Sequence, residues 1–396
     1  MTAPAAPHPS ASTQPLIRVD DDPSALPREA WNALLAQSPL PSPFMRLEYL
    51  EAMQSSGSAV PKTGWQAQFL SVWEGDELIA ACPAYLKGHS YGEYVFDWAW
   101  ADAYQRNGLD YYPKLLVAVP FTPVPGSRLL ARDDEARSWL VKGLRALSQR
   151  LEASSVHVLF GDAQDQRAMA ADGWLARQQV QFHWTGDGQP RSFADYLQTL
   201  QREKRKKIQQ EQRRVADAGI RFETLRGAEI SEDDWDFFYQ CYTLTYLAHR
   251  NKPYLKREFF TRMAQDLPAH WVMFIARDAQ GERVAASLIA IDAALKAAYG
   301  RYWGSIRYIP NLHFDACYYQ PLAWCLQNGW MRFEGGAQGE HKMARGLLPV
   351  ATHSSHWLAH PQFREAVADF LAREGEAMEE YIDELERHQP FKGEPG

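Results

Sequence analysis

The stretch WVMFIARDAQGERVAASLIAIDAALKAAYGRYWG, residues 271–304, decides the fold class. It contains three apolar runs of strand length, at 271–277, 284–291 and 297–304. Short polar turns separate them, and this spacing predicts three consecutive antiparallel strands. A helix at 314–328 and a strand at 330–334 are predicted to follow. This order of elements indicates a mixed α/β fold rather than a strict βαβ alternation.

The N-terminal part of the chain repeats this order of elements with little residue identity. Helices come first, then a hairpin that turns at Glu74-Gly75-Asp76, then a strand, a long amphipathic helix and shorter elements. These predicted elements span 27–37, 45–54, 65–73, 78–86, 112–119, 135–151, 156–160, 164–172 and 178–184. Residues 87–107 are predicted to form a long loop.

The segment Thr185–Arg191, TGDGQPR, is typical of a linker. We therefore predict a disordered tail over 1–15, a first domain over 16–186 and a second domain, with the active site, over 187–396. Further elements predicted in the second domain span 193–217, 220–225, 232–249, 256–266, 352–358 and 361–387.

Composition and charge narrow the class of protein. The chain has 396 residues, 46% of them hydrophobic, which is enough for two cores of ordinary size. Its net charge of −7 argues against nucleic-acid binding as the main role. Four scattered cysteines, no apolar run near the ~20 residues of a membrane span and no signal-peptide pattern favour a cytoplasmic protein.

The segment Phe333–Gly346, FEGGAQGEHKMARG, carries the densest set of chemical groups. Its glycines allow a close approach of the backbone to a ligand, and free N–H groups at a helix start bind anions or oxyanions. Glu340 and His341 are candidate general bases that take the proton of an amine. The candidate donor-binding residues here are Gly339, Lys342 and Arg345. The alternative is a capped turn whose charges pair with one another.

The segment Lys87–Asp102, KGHSYGEYVFDWAWAD, combines aromatic and acidic residues. Long segments of this composition often line a cleft. The acids are suited to hold a cationic amine and the tryptophans to pack on its aliphatic part. The candidate acceptor-binding residues are His89, Tyr91, Glu93, Asp97, Trp98 and Trp100. The alternative is an aromatic mini-core with surface acids.

Two further segments offer cations for an anionic donor. The basic run Gln201–Arg214 places Lys206 opposite its apolar stripe, where it either faces water or binds phosphate. The segment Tyr299–Asp315 contributes Arg301 and His313 as candidate donor-binding residues. We predict no metal, because His353 and His356 would point to opposite faces of a strand.

The sequence resembles the FemAB-like N-acyltransferases of bacteria, within the GNAT (acyl-CoA N-acyltransferase) superfamily. The resemblance covers residues 40–385 and is carried by Phe333–Gly346, His313–Gln320 (HFDACYYQ), Lys87–Ala101 (KGHSYGEYVFDWAWA) and Tyr112–Pro123. It implies a tandem duplicated fold of two GNAT-like domains, each a mostly antiparallel central sheet flanked by helices. In that fold two central strands splay, the pantetheine of the donor lies between them, and its phosphates meet the following helix.

The resemblance implies direct transfer of an acyl group from acyl-CoA to a primary amine of a small molecule or amino-acid-like acceptor. Relatives that build peptidoglycan bridges use aminoacyl-tRNA instead. The segment Ile309–Phe314 lacks the QxxGxG pattern of acetyl-CoA sites, so an aminoacyl-tRNA donor with a peptidoglycan precursor or other amine as acceptor stays an alternative. A non-catalytic binding protein on the same fold is the other alternative, and the sequence leaves a monomer and a homodimer open.

Overall fold

The computed structural model describes residues 14–336 and 339–392, so the predicted tail lies almost entirely outside the described residues. The strands are β1 Leu16–Asp20, β2 Gln66–Ala67, β3 Phe69–Glu74, β4 Glu77–Cys82, β5 Ala84–Lys87, β6 Lys114–Val117, β7 Leu130–Ala131, β8 Ser155–Leu159, β9 Leu175–Thr185, β10 Arg221–Arg226, β11 Trp271–Arg277, β12 Arg283–Asp292, β13 Ala297–Ser305, β14 Arg332–Glu334 and β15 Leu348–Leu358. The helices are α1 Arg28–Gln37, α2 Leu47–Ser55, α3 Trp98–Arg106, α4 Asp134–Arg150, α5 Ala163–Ala171, α6 Phe193–Thr199, α7 Arg202–Asp217, α8 Glu232–Ala248, α9 Arg257–Asp266, α10 Leu312–Phe314, α11 Gln320–Gln327 and α12 Pro361–Arg387.

Eleven strands form one continuous sheet in the order β10-β11-β12-β13-β14-β9-β15-β8-β6-β5-β2. A smaller antiparallel sheet, β1-β3-β4-β7, belongs to the N-terminal part. Within the large sheet only β13–β14 and β6–β8 pair in parallel, one such pair in each half. The predicted fold class is confirmed in its mixed α/β character, with mostly antiparallel sheets flanked by helices.

The two halves exchange their last strands. β9 precedes the predicted boundary at residue 186 but pairs with β14 of the second half. β15 follows the boundary but lies between β8 and β9. Backbone hydrogen bonds therefore join the halves across three neighbouring strand pairs, and the division at 186/187 stays a prediction about chain order.

The parallel pair β13–β14 is short and opens a gap in the sheet of the second half. These strands pair only from Ala297 to Tyr299 on β13, opposite Arg332–Glu334. Beyond Tyr299, β13 continues along β12 while β14 ends, so the two chains diverge. Among the described residues, 300–305 have no strand partner on the β14 side, and backbone groups there can bind a ligand.

Helix α8 lies unusually close to β13 at the same place. A Cβ atom on Gly304 would stand 2.0 Å from the carbonyl oxygen of Cys241, so only glycine fits there. The hydroxyl of Thr245 donates to the carbonyl oxygen of Trp303 at 3.1 Å and closes the contact. Side chains of α8 consequently reach the gap between β13 and β14.

Several predicted elements differ from the structure. The predicted loop 87–107 contains α3, in which Trp100 and Tyr104 are buried. The predicted helix 193–217 is two helices, because Leu200 leaves the helical path and pairs with Phe391. The predicted hairpin strands are each split in two: β3 and β4 join the small sheet, whereas β2 and β5 join the large one. Pro83, which has no N–H for a sheet bond, separates β4 from β5.

No described helix combines the length and the apolar character needed to cross a membrane.

Candidate functional site

Two cavities meet where β13 and β14 diverge. The first holds about 280 Å³ and the second about 430 Å³. Both are lined by Tyr318, Gly335 and Gly336, so they adjoin at these residues, and we call the two cavities together the joined cleft. The first cavity is lined mainly by β13, α8 and the helical segment after β13, including Tyr242, Tyr246, Arg301, Tyr302, Trp303, His313 and Cys317.

The second cavity brings the aromatic segment and the glycine turn together. Its lining from the N-terminal half is Ser90, Tyr91, Gly92, Tyr94, Phe96 and Trp98. Tyr254 and Lys342 complete the lining. The structure therefore places Gly335 and Gly336 on the same cavity as the segment around Trp98. Tyr91 and Trp98 are exposed at 61% and 42%, which leaves the mouth of the cavity apolar.

Tyr318 stands between the two cavities and is hydrogen-bonded to His341. The distance between the Tyr318 hydroxyl and His341 Nε2 is 3.3 Å. Burial, with help from the cations of Arg345 and Lys342, lowers the pKa of His341 and favours its neutral, proton-accepting form. Tyr318 lies in a π-helical segment, Asp315–Tyr319, between α10 and α11. His341 does not line the joined cleft itself but reaches it through this tyrosine.

Glu340 points elsewhere. Its carboxylate accepts a hydrogen bond from the hydroxyl of Tyr381 on α12. It lines a separate cavity of about 450 Å³ whose other residues include Lys204, Met343, Glu384 and His388. Of the two proposed bases, only His341 is linked to the joined cleft, through its hydrogen bond with Tyr318.

Lys342 is a buried cation of the second cavity. Only 3% of the residue is exposed, and its Nζ donates to the carbonyl oxygen of Gly336 at 2.9 Å. Burial lowers the pKa of Lys342 to about 8. No carboxylate among the described residues lies within ion-pair distance of it, so a ligand anion or oxyanion is its natural partner.

The other predicted donor-binding residues fall into two groups. Arg301 and His313 line the first cavity. Arg345 does not line either cavity, because its guanidinium donates to Glu211 of α7 at 3.1 Å and stacks on Phe314. Lys206 is exposed on α7 and lines neither cavity, and neither does Gly339, which has a φ of +114°.

We expect Lys342→Met to stabilise the fold at neutral pH by about 1–2 kcal/mol. The pKa of Lys342 in the folded protein lies below its unfolded value of 10.5, so holding the proton costs stability below pH 8. That cost falls as the pH rises from about 8 to 10.5. Urea unfolding of the wild type and of Lys342→Met at pH 7 and pH 10 measures the difference in their free energies of unfolding.

The matched control for this substitution is Lys206→Met, since Lys206 is exposed on α7. It should change the free energy of unfolding by less than about 0.5 kcal/mol at either pH. A Lys342→Met protein that is less stable than the wild type at pH 7 would show that the amine has a compensating partner.

The acids predicted to hold the acceptor amine already hold a lysine of the chain. Lys114 Nζ donates to Glu93 at 2.7 Å, to Ser90 at 2.7 Å and to Asp97. All four side chains are buried. Burial raises the pKa of Glu93 to about 7. Burial also acts to raise the pKa of Asp97, but Lys114, together with His157 and Ser90, lowers it to about 2. This internal cation occupies the position that the sequence analysis gave to the substrate amine.

Two more acceptor-binding candidates lie outside the joined cleft. Trp100 is buried in α3, with its ring 4.9 Å from that of His356 and 5.4 Å from the guanidinium of Arg177. His89 packs against Tyr91, with ring centroids 5.3 Å apart, but does not itself line the second cavity. The acceptor-side residues that the structure brings to the cavity are therefore Tyr91 and Trp98.

Two functional candidates were missed in the sequence. Tyr318 lies in HFDACYYQ, a stretch that carried the resemblance, but nothing in the letters distinguishes Tyr318 from Tyr319, which bonds to Glu211 instead. Lys114 carried a usable signal, since a lysine at the start of the apolar run KLLVAV must be paired if that run is buried.

Comparisons with known proteins agree with this architecture. A family model named FemAB-like, described as peptidoglycan biosynthesis/recognition, matches residues 22–393. Similar solved structures include FemX, with 10% identity, 87% of this chain and 98% of that chain covered, and a TM-score of 0.53. L-PGS from Bacillus licheniformis aligns with 11% identity, coverages of 87% and 97%, and a TM-score of 0.53.

A third structure is the C-terminal domain of a putative lysylphosphatidylglycerol synthetase from Agrobacterium fabrum. It aligns with 12% identity, coverages of 87% and 95%, and a TM-score of 0.52. No curated protein sequence shows significant similarity to this chain. At these identities the solved structures establish the fold.

Proposed function

We propose that this chain, which belongs to the FemAB-like family, transfers an acyl or aminoacyl group to an amine in the joined cleft. Membership confirms the resemblance inferred from the sequence and indicates a transferase. The observation that carries the proposal is the divergence of β13 from β14, which opens a space between Tyr318, Lys342 and unpaired backbone. That space is continuous with an apolar mouth formed by Tyr91 and Trp98.

The proposed reaction is a direct attack of the amine on the carbonyl of a thioester or ester. Attack forms the new C–N bond and puts negative charge on the carbonyl oxygen. Lys342 is suited to stabilise that charge. Collapse of the intermediate then breaks the bond to the thiolate or alkoxide leaving group, and no covalent enzyme intermediate is formed.

The Tyr318–His341 pair is proposed to move the proton. Burial raises the pKa of Tyr318, so its hydroxyl is neutral at pH 7. A neutral phenol can accept the proton of the attacking amine while it gives its own hydrogen to His341 Nε2, 3.3 Å away. The same relay run backwards can protonate the leaving group.

Acyl-CoA is the first proposed donor and aminoacyl-tRNA the second. The specific observation for the second is α7, whose cations Arg202, Lys206, Lys207, Arg213 and Arg214 are exposed. None of them forms an ion pair with an acid among the described residues. Such a surface suits a polyanion.

The family description favours a peptidoglycan precursor as the acceptor, and a small-molecule amine is the second proposed acceptor. We propose a cytoplasmic location. Analytical ultracentrifugation can distinguish a monomer from a homodimer.

The test is a transfer assay with two donors. The protein is incubated with acetyl-CoA, or with a charged total tRNA pool, and with amines that include amino acids, polyamines and a peptidoglycan precursor. Mass spectrometry then detects N-acylated or N-aminoacylated product. Product from either donor supports the proposal and identifies the donor class. Ligand binding without product from both donors would favour a binding protein on the same fold.

His341→Gln and Glu340→Gln are expected to differ in this assay. Loss of His341 removes the proton acceptor of Tyr318 and should lower kcat about 10- to 100-fold. Loss of the Glu340 charge should change kcat by less than about threefold, because that carboxylate bonds to Tyr381 outside the joined cleft. The opposite order of effects would assign the base to Glu340.

A further inference from the structure

Arg301 is a cation of the first cavity with only neutral partners. Its Nη2 donates to the carbonyl oxygen of Phe121 at 2.9 Å, to Thr122 Oγ1 at 3.3 Å and to the Tyr302 hydroxyl at 3.1 Å. Its Nε is buried and has no hydrogen-bond partner among the described residues. The guanidinium lies over the rings of Phe44 and Tyr302, at 5.2 and 4.9 Å. These contacts hold the side chain in place without neutralising it.

Arg128 and Lys342, like Arg301, have no carboxylate within ion-pair distance among the described residues, whereas two other buried cations do. Lys114 has Glu93 and Asp97, and Arg345 has Glu211. The positive charge of Arg301 acts to lower the pKa of Glu334. Glu334 nevertheless forms its ion pair with Arg332, whose Nε lies 3.1 Å from Glu334 Oε1. A charge kept in a cavity without a counter-charge is costly unless a ligand supplies one.

The joined cleft as a whole is cationic although the protein is acidic. No aspartate or glutamate is among the described residues that line either of its cavities. By contrast, the recess beside Tyr111 is lined by Asp102 and Asp110, and the cavity beside Tyr381 by Glu340 and Glu384. Two cations without a carboxylate partner, Arg301 and Lys342, thus lie where the proposed chemistry takes place.

We infer that Arg301 and Tyr302 bind a carboxylate of the acceptor, so that the acceptor is an amino-acid-like molecule carrying both an amine and a carboxylate. This inference rests on the proposed function and reassigns Arg301 from the donor to the acceptor. The Tyr302 hydroxyl accepts from Arg301 and still has its own hydrogen to donate. Arg301 therefore offers an anion one full positive charge, and the Tyr302 hydroxyl offers it a neutral hydrogen-bond donor.

Charge and size favour a carboxylate over a phosphate at this position. Arg301 is the one permanent cation among the described residues that line the first cavity. A carboxylate carries one negative charge, whereas a phosphate monoester carries about 1.5 to 2. The volume of the first cavity, about 280 Å³, suits a small group. Tyrosine side chains from α8, Tyr242 and Tyr246, supply the apolar remainder of the lining.

The test measures binding of a matched pair of probes by calorimetry, with no donor present. N-acetylglycine and N-acetylglycinamide differ by one carboxylate, and ethyl phosphate serves as the phosphate probe. The wild type should bind N-acetylglycine at least about 10-fold more tightly than either other probe. Arg301→Met should reduce that preference to about twofold or less, because the charge is gone. Arg301→Lys should retain part of it.

The matched control is Arg307→Gln, which removes an arginine beyond the end of the same strand. Arg307 is half exposed and pairs with Asp278 at 2.9 Å, so its loss should leave the preference for N-acetylglycine intact. Tighter binding of ethyl phosphate, or an unchanged preference in folded Arg301→Met, would overturn the inference. Absence of transfer with every donor, with carboxylate binding retained, would instead count against the proposed function alone.

Discussion

Lys114→Met is expected to destabilise the protein by about 3–5 kcal/mol at pH 7. The substitution keeps the length of the side chain but leaves Glu93 and Asp97 buried without the ammonium that bonds to both. Lys87 cannot replace it, because its Nζ lies 3.9 Å from Glu93 and burial lowers its own pKa to about 7. Urea unfolding followed by circular dichroism measures the loss.

The pH dependence of this loss has a definite sign. The folded-state pKa of Asp97 is about 2, below its ordinary 3.8, so its contribution is present above pH 3.8 and is lost as the pH falls through 2. The deficit of the variant should therefore shrink in acid, where both carboxyls become neutral. Lys142→Met is the control, since Lys142 is exposed on α4, and should cost less than about 0.5 kcal/mol. Equal losses in the two variants would contradict the buried cluster.

Tyr318→Phe is expected to lower kcat by about 10²- to 10³-fold with little change in the fold. The substitution removes only the hydroxyl that links the joined cleft to His341. Its ring still fills the space between Phe314 and the glycine turn, so the free energy of unfolding should change by about 1 kcal/mol or less. Single-turnover kinetics separate the chemical step from donor binding, which should be unaffected.

Tyr381→Phe is the matched control for that substitution. Its hydroxyl also bonds to a residue of the turn after Gly339, namely Glu340, but it lies outside the joined cleft. It should retain kcat within about twofold. Equal kcat in Tyr318→Phe and the wild type would remove Tyr318 from the proposed relay.

Local patterns predicted the second half of the chain well. The bounds of β11 match the apolar run predicted at 271–277, and those of α12 match the amphipathic helix predicted at 361–387. The strand at 330–334 is two residues shorter in the structure, as β14. These elements obey a periodicity that depends on neighbouring residues alone, so the sequence is sufficient to locate them.

Long-range pairing accounts for most of what the sequence could not reveal. Nothing in the sequences of β9 or β15 shows that each inserts beside a strand of the other half. The partner of Lys114 lies 17 residues away in a predicted loop, and Glu93 is four residues further. Such contacts depend on the folded arrangement and not on spacing along the chain.

The proposed base illustrates the same limit at close range. Glu340 and His341 are neighbours in one 3₁₀ turn, and the sequence gives them equal standing. In the turn their side chains diverge, one toward Tyr381 and one toward Tyr318. Lys342, the next residue, points into the second cavity. The sequence does not show that these three adjacent titratable side chains point in different directions; only the fold does.

The most direct test of the joined cleft as the site of transfer is a crystal structure with a bound donor. Crystals are soaked, in separate experiments, with saturating coenzyme A and with an aminoacyl ester of adenosine. The account predicts that the thiol of one, or the ester carbonyl of the other, lies between β13 and β14 within reach of the Tyr318 hydroxyl. A reactive end beside Tyr111 or Tyr381, or an empty cleft with both ligands at saturation, would contradict it.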